Sequence, residues 1–252
     1  MKNPKRILIT GANSGIGEAL ALEYAKDGVF LAISGRNEER LNAVSKQLQA
    51  KGATVDAKVI NVADEAAMSV WIKSLAENAP LDLVIANAGI GIGADKNNSL
   101  HEVAKKTFEV NVNGVFNTVH PAIDVMKQQG YGQIVIVSSI AGFLGLPGNP
   151  AYSASKNAVR AYAESLRGTY AHRNIKVNAV CPGYVVSRMT APNKHPMPFL
   201  MTSEKAARII IKGLAKNKAR IAFPFPTFAF IRTLQALPYF IADRLLRTMP
   251  KK

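Results

Sequence analysis

The chain has 252 residues, 48% of them hydrophobic and 19% charged, with a formal net charge of +15. That length and apolar content suffice for a sizeable core and exclude a disordered chain. The single cysteine, Cys181, excludes an internal disulfide framework and reads as a small buried apolar residue.

Residues 1–6 are polar and basic and run into a short apolar strand rather than a signal-peptide core, which predicts a cytoplasmic protein. In chain order, short β-branched runs alternate with helical stretches. Strands are predicted over 7–10, 29–34, 54–60, 81–86, 133–137 and 176–180. Helices are predicted over 15–26, 38–50, 64–77 (capped by Asp64), 99–127, 153–171 and 203–216. The strands read as apolar throughout, which suits a parallel sheet covered on both faces. Strand–helix alternation implies right-handed βαβ units and a doubly wound, Rossmann-type α/β fold in a single domain. Residues 1–190 are expected to form the main body of that domain, and residues 191–252 a basic, apolar C-terminal extension of it.

The stretch Thr10-Gly11-Ala12-Asn13-Ser14-Gly15-Ile16-Gly17 joins the first strand to the first helix. Gly11 permits a tight turn, and Gly15 and Gly17 let the backbone approach a pyrophosphate at the positive helix N-terminus. The spacing departs from G-x-G-x-x-G, so placement directly after the first strand is the stronger signal. The second strand ends in Ser34-Gly35-Arg36. Glycine stands where an NAD site wants a carboxylate for the ribose hydroxyl, and the Arg36 guanidinium suits a 2′-phosphate. NADP(H) is therefore the expected cofactor.

Tyr152 and Lys156 are four residues apart and share one helix face. A tyrosine ordinarily titrates near pH ~10, and a neighbouring ammonium favours its phenolate. The pair would act as general acid and base. Ser139, ending the fifth strand, lies thirteen residues earlier across a loop rich in Gly and Pro. That loop can bring both hydroxyls to one carbonyl oxygen. His101, His120, His172 and His195 are scattered and suit no serine-protease arrangement.

In this order, Thr10 to Gly17, Asn87-Ala88-Gly89, Asn111, Ser139, Tyr152 with Lys156, and Pro182-Gly183 resemble the short-chain dehydrogenase/reductase family over about residues 5–190. The resemblance implies that Asn87, Ala88 and Gly89 brace the sheet edge and line the adenosine ribose. Asn61-Val62 stands where the family usually places an acid touching adenine. Asn111, preferred over Asn113, would hold a relay water. Lys156 would also bind the nicotinamide ribose. Pro182, Gly183, Val185 and Ser187 would surround the nicotinamide, Ser187 replacing a usual threonine. The implied cofactor set is thus Gly11, Asn13, Ser14, Gly15, Ile16, Gly17, Arg36 and these residues. The implied reaction moves a hydride between nicotinamide and a carbonyl or alcohol, in a homodimer or homotetramer. A non-enzymatic NADP sensor is the competing reading, and a sensor needs none of Asn111, Ser139, Tyr152 and Lys156. A nucleotide-sugar epimerase would need a separate substrate domain.

Residues 188–202 carry Met189, Met197, Phe199, Leu200 and Met201, which suits either an apolar substrate or a lid packed on the core. Residues 194–252 hold 12 Lys and Arg against 2 Asp and Glu, a net of +10. No zinc-ligand spacing or RNA-binding signature accompanies the charge, so nucleic acid is not an expected partner. Pro226, Arg232 and Pro238 interrupt the apolar tail too often for a membrane span. Basic amphipathic helices there can lie on an anionic membrane, cover a substrate entrance or pack in a dimer.

Overall fold

The computed structural model describes residues 1–91, 99–193 and 196–248. His195 and the last residues of the basic tail, 249–252, lie outside the described residues. The elements run β1 (Arg6–Thr10), α1 (Gly15–Tyr24), β2 (Phe30–Gly35), α2 (Glu38–Ala50), β3 (Thr54–Val59), α3 (Glu65–Asn78) and β4 (Leu83–Ala86). Then come α4 (Leu100–Phe108), α5 (Gly114–Gln129), β5 (Gly132–Val137), α6 (Pro150–Tyr170), β6 (Ile175–Pro182), α7 (Ser203–Ala215), β7 (Arg220–Phe223), α8 (Phe225–Ala236) and α9 (Tyr239–Leu246).

Seven strands form one sheet in the order β3-β2-β1-β4-β5-β6-β7, and every pairing is parallel. Side chains alternate across a strand, so each strand feeds two cores. In β1, Leu8 joins one core with α3, α5 and α6. Ile7 and Ile9 join the other with α1, α2 and α7. The chain lays β1, β2 and β3 outward in one direction, then returns past β1 to start β4. The order therefore reverses between β1 and β4, where a crevice opens beyond the carboxyl ends.

Three expectations need correction. β3 is not apolar throughout: Asp56 and Lys58 interrupt it and Val59 is exposed. It is an edge strand with one neighbour, and Asp56 accepts a 2.9 Å bond from the Trp71 indole. The helix expected over 99–127 is not uniform. Ser99 and Glu102 form its capping box and Gly130, at φ +79°, ends it. Between α4 and α5 lies a π-helical turn, Glu109–Asn113. Such turns insert one residue into the ladder and re-aim side chains; here Asn111 is fully buried.

The third correction is β7, which sequence reading merged into the tail. Four residues between a Lys/Asn-rich turn and Pro224 carry little periodicity, and pairing with β6 makes them a strand. The helices α8 and α9 follow as expected for the tail. Ile231 and Leu234 of α8 enter the core, whereas Ala242 is the only buried residue of α9. Among the described residues, no helix is long and apolar enough to cross a membrane.

Candidate active site

The glycine-rich stretch lies in the crevice at the end of β1. Gly11 and Gly15 have φ of +65° and +60°, a region that side chains resist. Gly17 is required by space. A Cβ there would meet the Gly11 carbonyl oxygen at 2.4 Å and Asn87 Nδ2 at 2.5 Å. Ser14 holds the cap position of α1, yet its side chain makes no capping bond. The first-turn amides are thus left open to a ligand, as an anion cradle requires. Asn13 and Ile16 are half-buried in the same turn.

Opposite, β4 delivers Asn87, Ala88 and Gly89. Buried Thr10 accepts 3.1 Å bonds at Oγ1 from the amides of Asn87 and Ala88. Asn87 Nδ2 donates to the carbonyls of Thr10 (3.0 Å) and Gly11 (3.2 Å). These bonds join the ends of β1 and β4 and hold the crevice open at a fixed width.

At the end of β2, Arg36 is exposed and directed to solvent-accessible space. A Cβ on Gly35 would meet Asn13 Cγ at 2.6 Å, so no acidic side chain fits there unless Asn13 moves. Asn61 is exposed, and its Oδ1 accepts from the Ala63 amide at 3.2 Å. Val62 is buried against Gly114, and its carbonyl accepts from Asn117 Nδ2 at 3.0 Å.

The four residues expected to carry chemistry converge on this crevice. Ser139 caps a one-turn 3-10 helix, Ile140–Gly142, accepting at Oγ from the Ala141 amide at 3.1 Å. The Ser139 hydroxyl lies close enough to the Tyr152 phenol to favour its ionised form. The Lys156 ammonium lies 5.8 Å from the Tyr152 ring centroid and donates to the Val137 carbonyl at 2.9 Å. A Cβ on Gly89 would touch both Asn111 Oδ1 and Lys156 Nζ at 3.2 Å, so those groups meet above that residue. Asn111 is held from both sides. Its Oδ1 accepts from the Ile90 amide (2.8 Å), and its Nδ2 donates to the Ile90 carbonyl (2.9 Å) and Ser155 Oγ (3.1 Å).

Burial pushes the Lys156 ammonium down to about 8. Burial pushes the Tyr152 phenol up, against the pull of Ser139. This differs from the expected lowering of Tyr152 by its neighbour. The ammonium donates to a backbone carbonyl, and lost hydration sets the direction of the Tyr152 shift. Cys181 behaves as expected: it is fully buried, and its thiol is pushed up to about 12.

On the far wall, the Pro182 carbonyl accepts from Ser139 Oγ at 3.3 Å, and the Gly183 amide donates to Phe223 at 2.7 Å. Val185 is buried and bridges to Met201. Ser187 reaches the glycine loop: its Cβ lies 3.1 Å from where Gly15 would carry one. Its amide donates to Thr190 Oγ1 at 3.0 Å. Met189 lies beside Gly91 and Tyr152, since a Cβ on Gly91 would meet Met189 Sδ at 3.2 Å and Tyr152 Cδ2 at 3.6 Å. Phe199 and Leu200 of the predicted lid are exposed.

Sequence reading missed several supporting residues. Ser155 links Asn111 to the Tyr152 carbonyl, donating to it at 2.8 Å. Ser138 Oγ donates to the Lys156 carbonyl at 2.6 Å. Both lie beside residues already singled out, so adjacency was the available signal. Gly91 carried no signal and Met189 was read only as part of the apolar lid, because their meeting depends on loops distant in sequence.

The arrangement presents a glycine cradle at a helix N-terminus, an open crevice and a hydroxyl pair beside a buried ammonium. The cradle that any Cβ would fill fits a dinucleotide pyrophosphate. Residues 5–198 match the family described as short chain dehydrogenase. An uncharacterized oxidoreductase of Myxococcus xanthus is 37% identical over 243 residues, 96% of each chain. A 3-oxoacyl-(acyl-carrier-protein) reductase of Staphylococcus aureus is 36% identical over 196 residues, 75% of this chain and 78% of that one. The crystal structure of a 3-ketoacyl-ACP reductase from Sinorhizobium meliloti superimposes with a TM-score of 0.77 at 31% identity, covering 89% of this chain and 99% of that one. With matching fold, crevice and sequence, the chain belongs to the short-chain dehydrogenase family of oxidoreductases.

Proposed function

We propose that the protein is an NADP(H)-dependent oxidoreductase acting on a small, apolar carbonyl or alcohol, with Tyr152 as proton donor and acceptor. The observation that carries this is the meeting of Ser139, Tyr152, Lys156 and Asn111 beside the glycine cradle. When bound, the dinucleotide supplies or takes the hydride. Gly11, Asn13, Ser14, Gly15, Ile16 and Gly17 bind its pyrophosphate. Asn87, Ala88 and Gly89 line the adenosine ribose, and Asn61 and Val62 border the adenine. Pro182, Gly183, Val185 and Ser187 border the nicotinamide.

In the reducing direction, the Ser139 hydroxyl donates to the substrate oxygen and stabilises the charge that develops there. Tyr152 gives that oxygen its proton. Lys156 orients the ribose and supports the transient phenolate, and Asn111 holds the water that returns the proton. The reverse sequence oxidises an alcohol. Met189 beside Tyr152 gives the substrate side an apolar wall, and two relatives named as ketoacyl-ACP reductases take ketone substrates by name. A pure sensor would need no such tetrad. Assembly as a homodimer or homotetramer in the cytoplasm, through the helices near 99–127 and 153–171, belongs to the same reading.

The tail favours one addition, contact with an anionic membrane surface. Tyr239 is 82% exposed and Phe240 74%, beside exposed Arg244 and Arg247. Aromatic and cationic groups together suit a lipid interface.

Three measurements test these statements. Tyr152→Phe removes the transferable proton and is expected to lower turnover of a carbonyl panel by about 10²-fold or more while NADPH affinity stays unchanged. Unchanged turnover contradicts the assignment. Arg36→Ala is expected to weaken NADPH binding by about tenfold or more, the worth of a charge-assisted pair, and to leave NADH binding as it was. An equal effect on both cofactors rejects Arg36 as the 2′-phosphate ligand. With vesicles of phosphatidylcholine and phosphatidylglycerol, the full chain is expected to co-sediment and a Tyr239→Ser, Phe240→Ser variant to remain in the supernatant; equal partitioning ends the membrane reading.

A further inference from the structure

The segment Ser139–Phe143 is short, and its far end is held in an unusual way. Phe143 is 3% exposed and follows the 3-10 turn directly. Three guanidinium groups surround its ring, at 4.6 Å (Arg160), 5.0 Å (Arg220) and 5.9 Å (Arg232) from the centroid. Phe228 meets it edge-on, with centroids 5.3 Å apart and planes at 70°. These groups come from three elements: α6, β7 and α8.

Like charges around one ring repel, and Glu164 offsets this. It accepts from Arg160 Nη1 at 3.1 and 2.9 Å, and from Arg220 Nε at 3.0 Å. Burial raises its carboxyl, but the bonds and charges of the two arginines outweigh that and hold it below its ordinary range. Arg160 uses its remaining donors on the turn and on its own helix. Nε donates to the Gly142 carbonyl at 3.2 Å and Nη2 to Asn157 at 2.8 Å. Gly142 itself packs on α6: a Cβ there would meet the Lys156 carbonyl oxygen at 2.7 Å.

We propose that Phe143 is a positioning residue for the reaction: its ring, gripped by Arg160, Arg220 and α8 around Glu164, fixes the turn that aims Ser139 at Tyr152. A leucine would fill much of the same core volume. It would offer no aromatic face to the guanidinium groups, and such contacts strengthen when desolvated. Only three residues separate Phe143 from Ser139, so a shift of the ring is delivered to the hydroxyl with little slack. Positioning errors of that kind are costly, because donors to a developing oxyanion work within a narrow range. The same grip connects the C-terminal extension to the site, since Arg232 and Phe228 lie on α8.

The inference rests on the role proposed above for Ser139, and a double-mutant cycle separates the two. Phe143→Leu and Glu164→Gln are made in the full chain, alone and with Ser139→Ala. NADPH is the reductant, with ethyl acetoacetate and 4-nitrobenzaldehyde as carbonyl probes. Each single variant is expected to lower kcat by roughly tenfold, less than the ~10²-fold or more for loss of an oxyanion donor, with NADPH affinity unchanged. Phe143→Tyr keeps the ring face and is expected to retain most of the rate. In the Ser139→Ala background, Phe143→Leu is expected to have no further effect. A wild-type kcat in Phe143→Leu, or the same loss with and without Ser139, overturns the proposal. Glu164→Gln keeps volume at a half-buried position, so it stands in if Phe143→Leu unfolds. Hydrogen exchange at the Ala141, Gly142 and Phe143 amides gives a readout independent of turnover: both variants are expected to speed it, and unchanged protection counts against the grip. Full turnover in Tyr152→Phe would instead defeat the chemistry while leaving the exchange result standing.

Discussion

A buried ammonium with one backbone partner is the constraint on which the rest of this structure depends. Lys156 is 3% exposed, carries its charge on a helix packed under the sheet's carboxyl rim, and donates to the carbonyl that ends β5. Removing water from a charge is expensive unless bonds replace those lost. The fold supplies one bond, from Lys156 to the Val137 carbonyl, at a point where Asn111 and the Tyr152 ring lie close by. That residual demand makes the site receptive to a ligand with hydroxyl oxygens. The same burial explains why Lys156 titrates far below an ordinary lysine while Tyr152 titrates above an ordinary phenol.

Much of the fold was legible because parallel strands buried on both faces read as uninterrupted apolar runs. Most of the strands announced themselves this way, and the helices between them by their spacing and caps. The misses have physical causes. β3 is an edge strand, so half of it faces water and mixes Asp56 and Lys58 into the run. β7 is four residues long and gains its identity only from β6. The π turn at Glu109–Asn113 leaves the helical period nearly intact in sequence, and its consequence, the inward Asn111, needs Ile90 opposite to be recognised.

The site was legible to a similar degree. Glycines, the Tyr–Lys spacing and the serine after β5 are local signals, and the structure gathers them at one crevice. What local signals omit is the supporting shell. Asn13 occupying the space above Gly35, Met189 reaching Gly91 and three arginines around Phe143 all join segments far apart in sequence. Electrostatic direction was also beyond reach, because the sign of the Tyr152 shift depends on how deeply the phenol lies. The glycine at position 35 illustrates the overlap: sequence reads it as a missing carboxylate, and the structure adds that Asn13 fills the vacated volume.

The pH dependence of carbonyl reduction tests the central claim most directly. In the proposed mechanism reduction needs a protonated phenol and a charged Lys156, and the buried ammonium loses its proton first, near about 8. Single-turnover rates with saturating NADPH, followed from about pH 6 to about pH 10, are therefore predicted to fall along a limb near pH 8. A rate that stays level up to the ordinary range of a lysine would contradict the account.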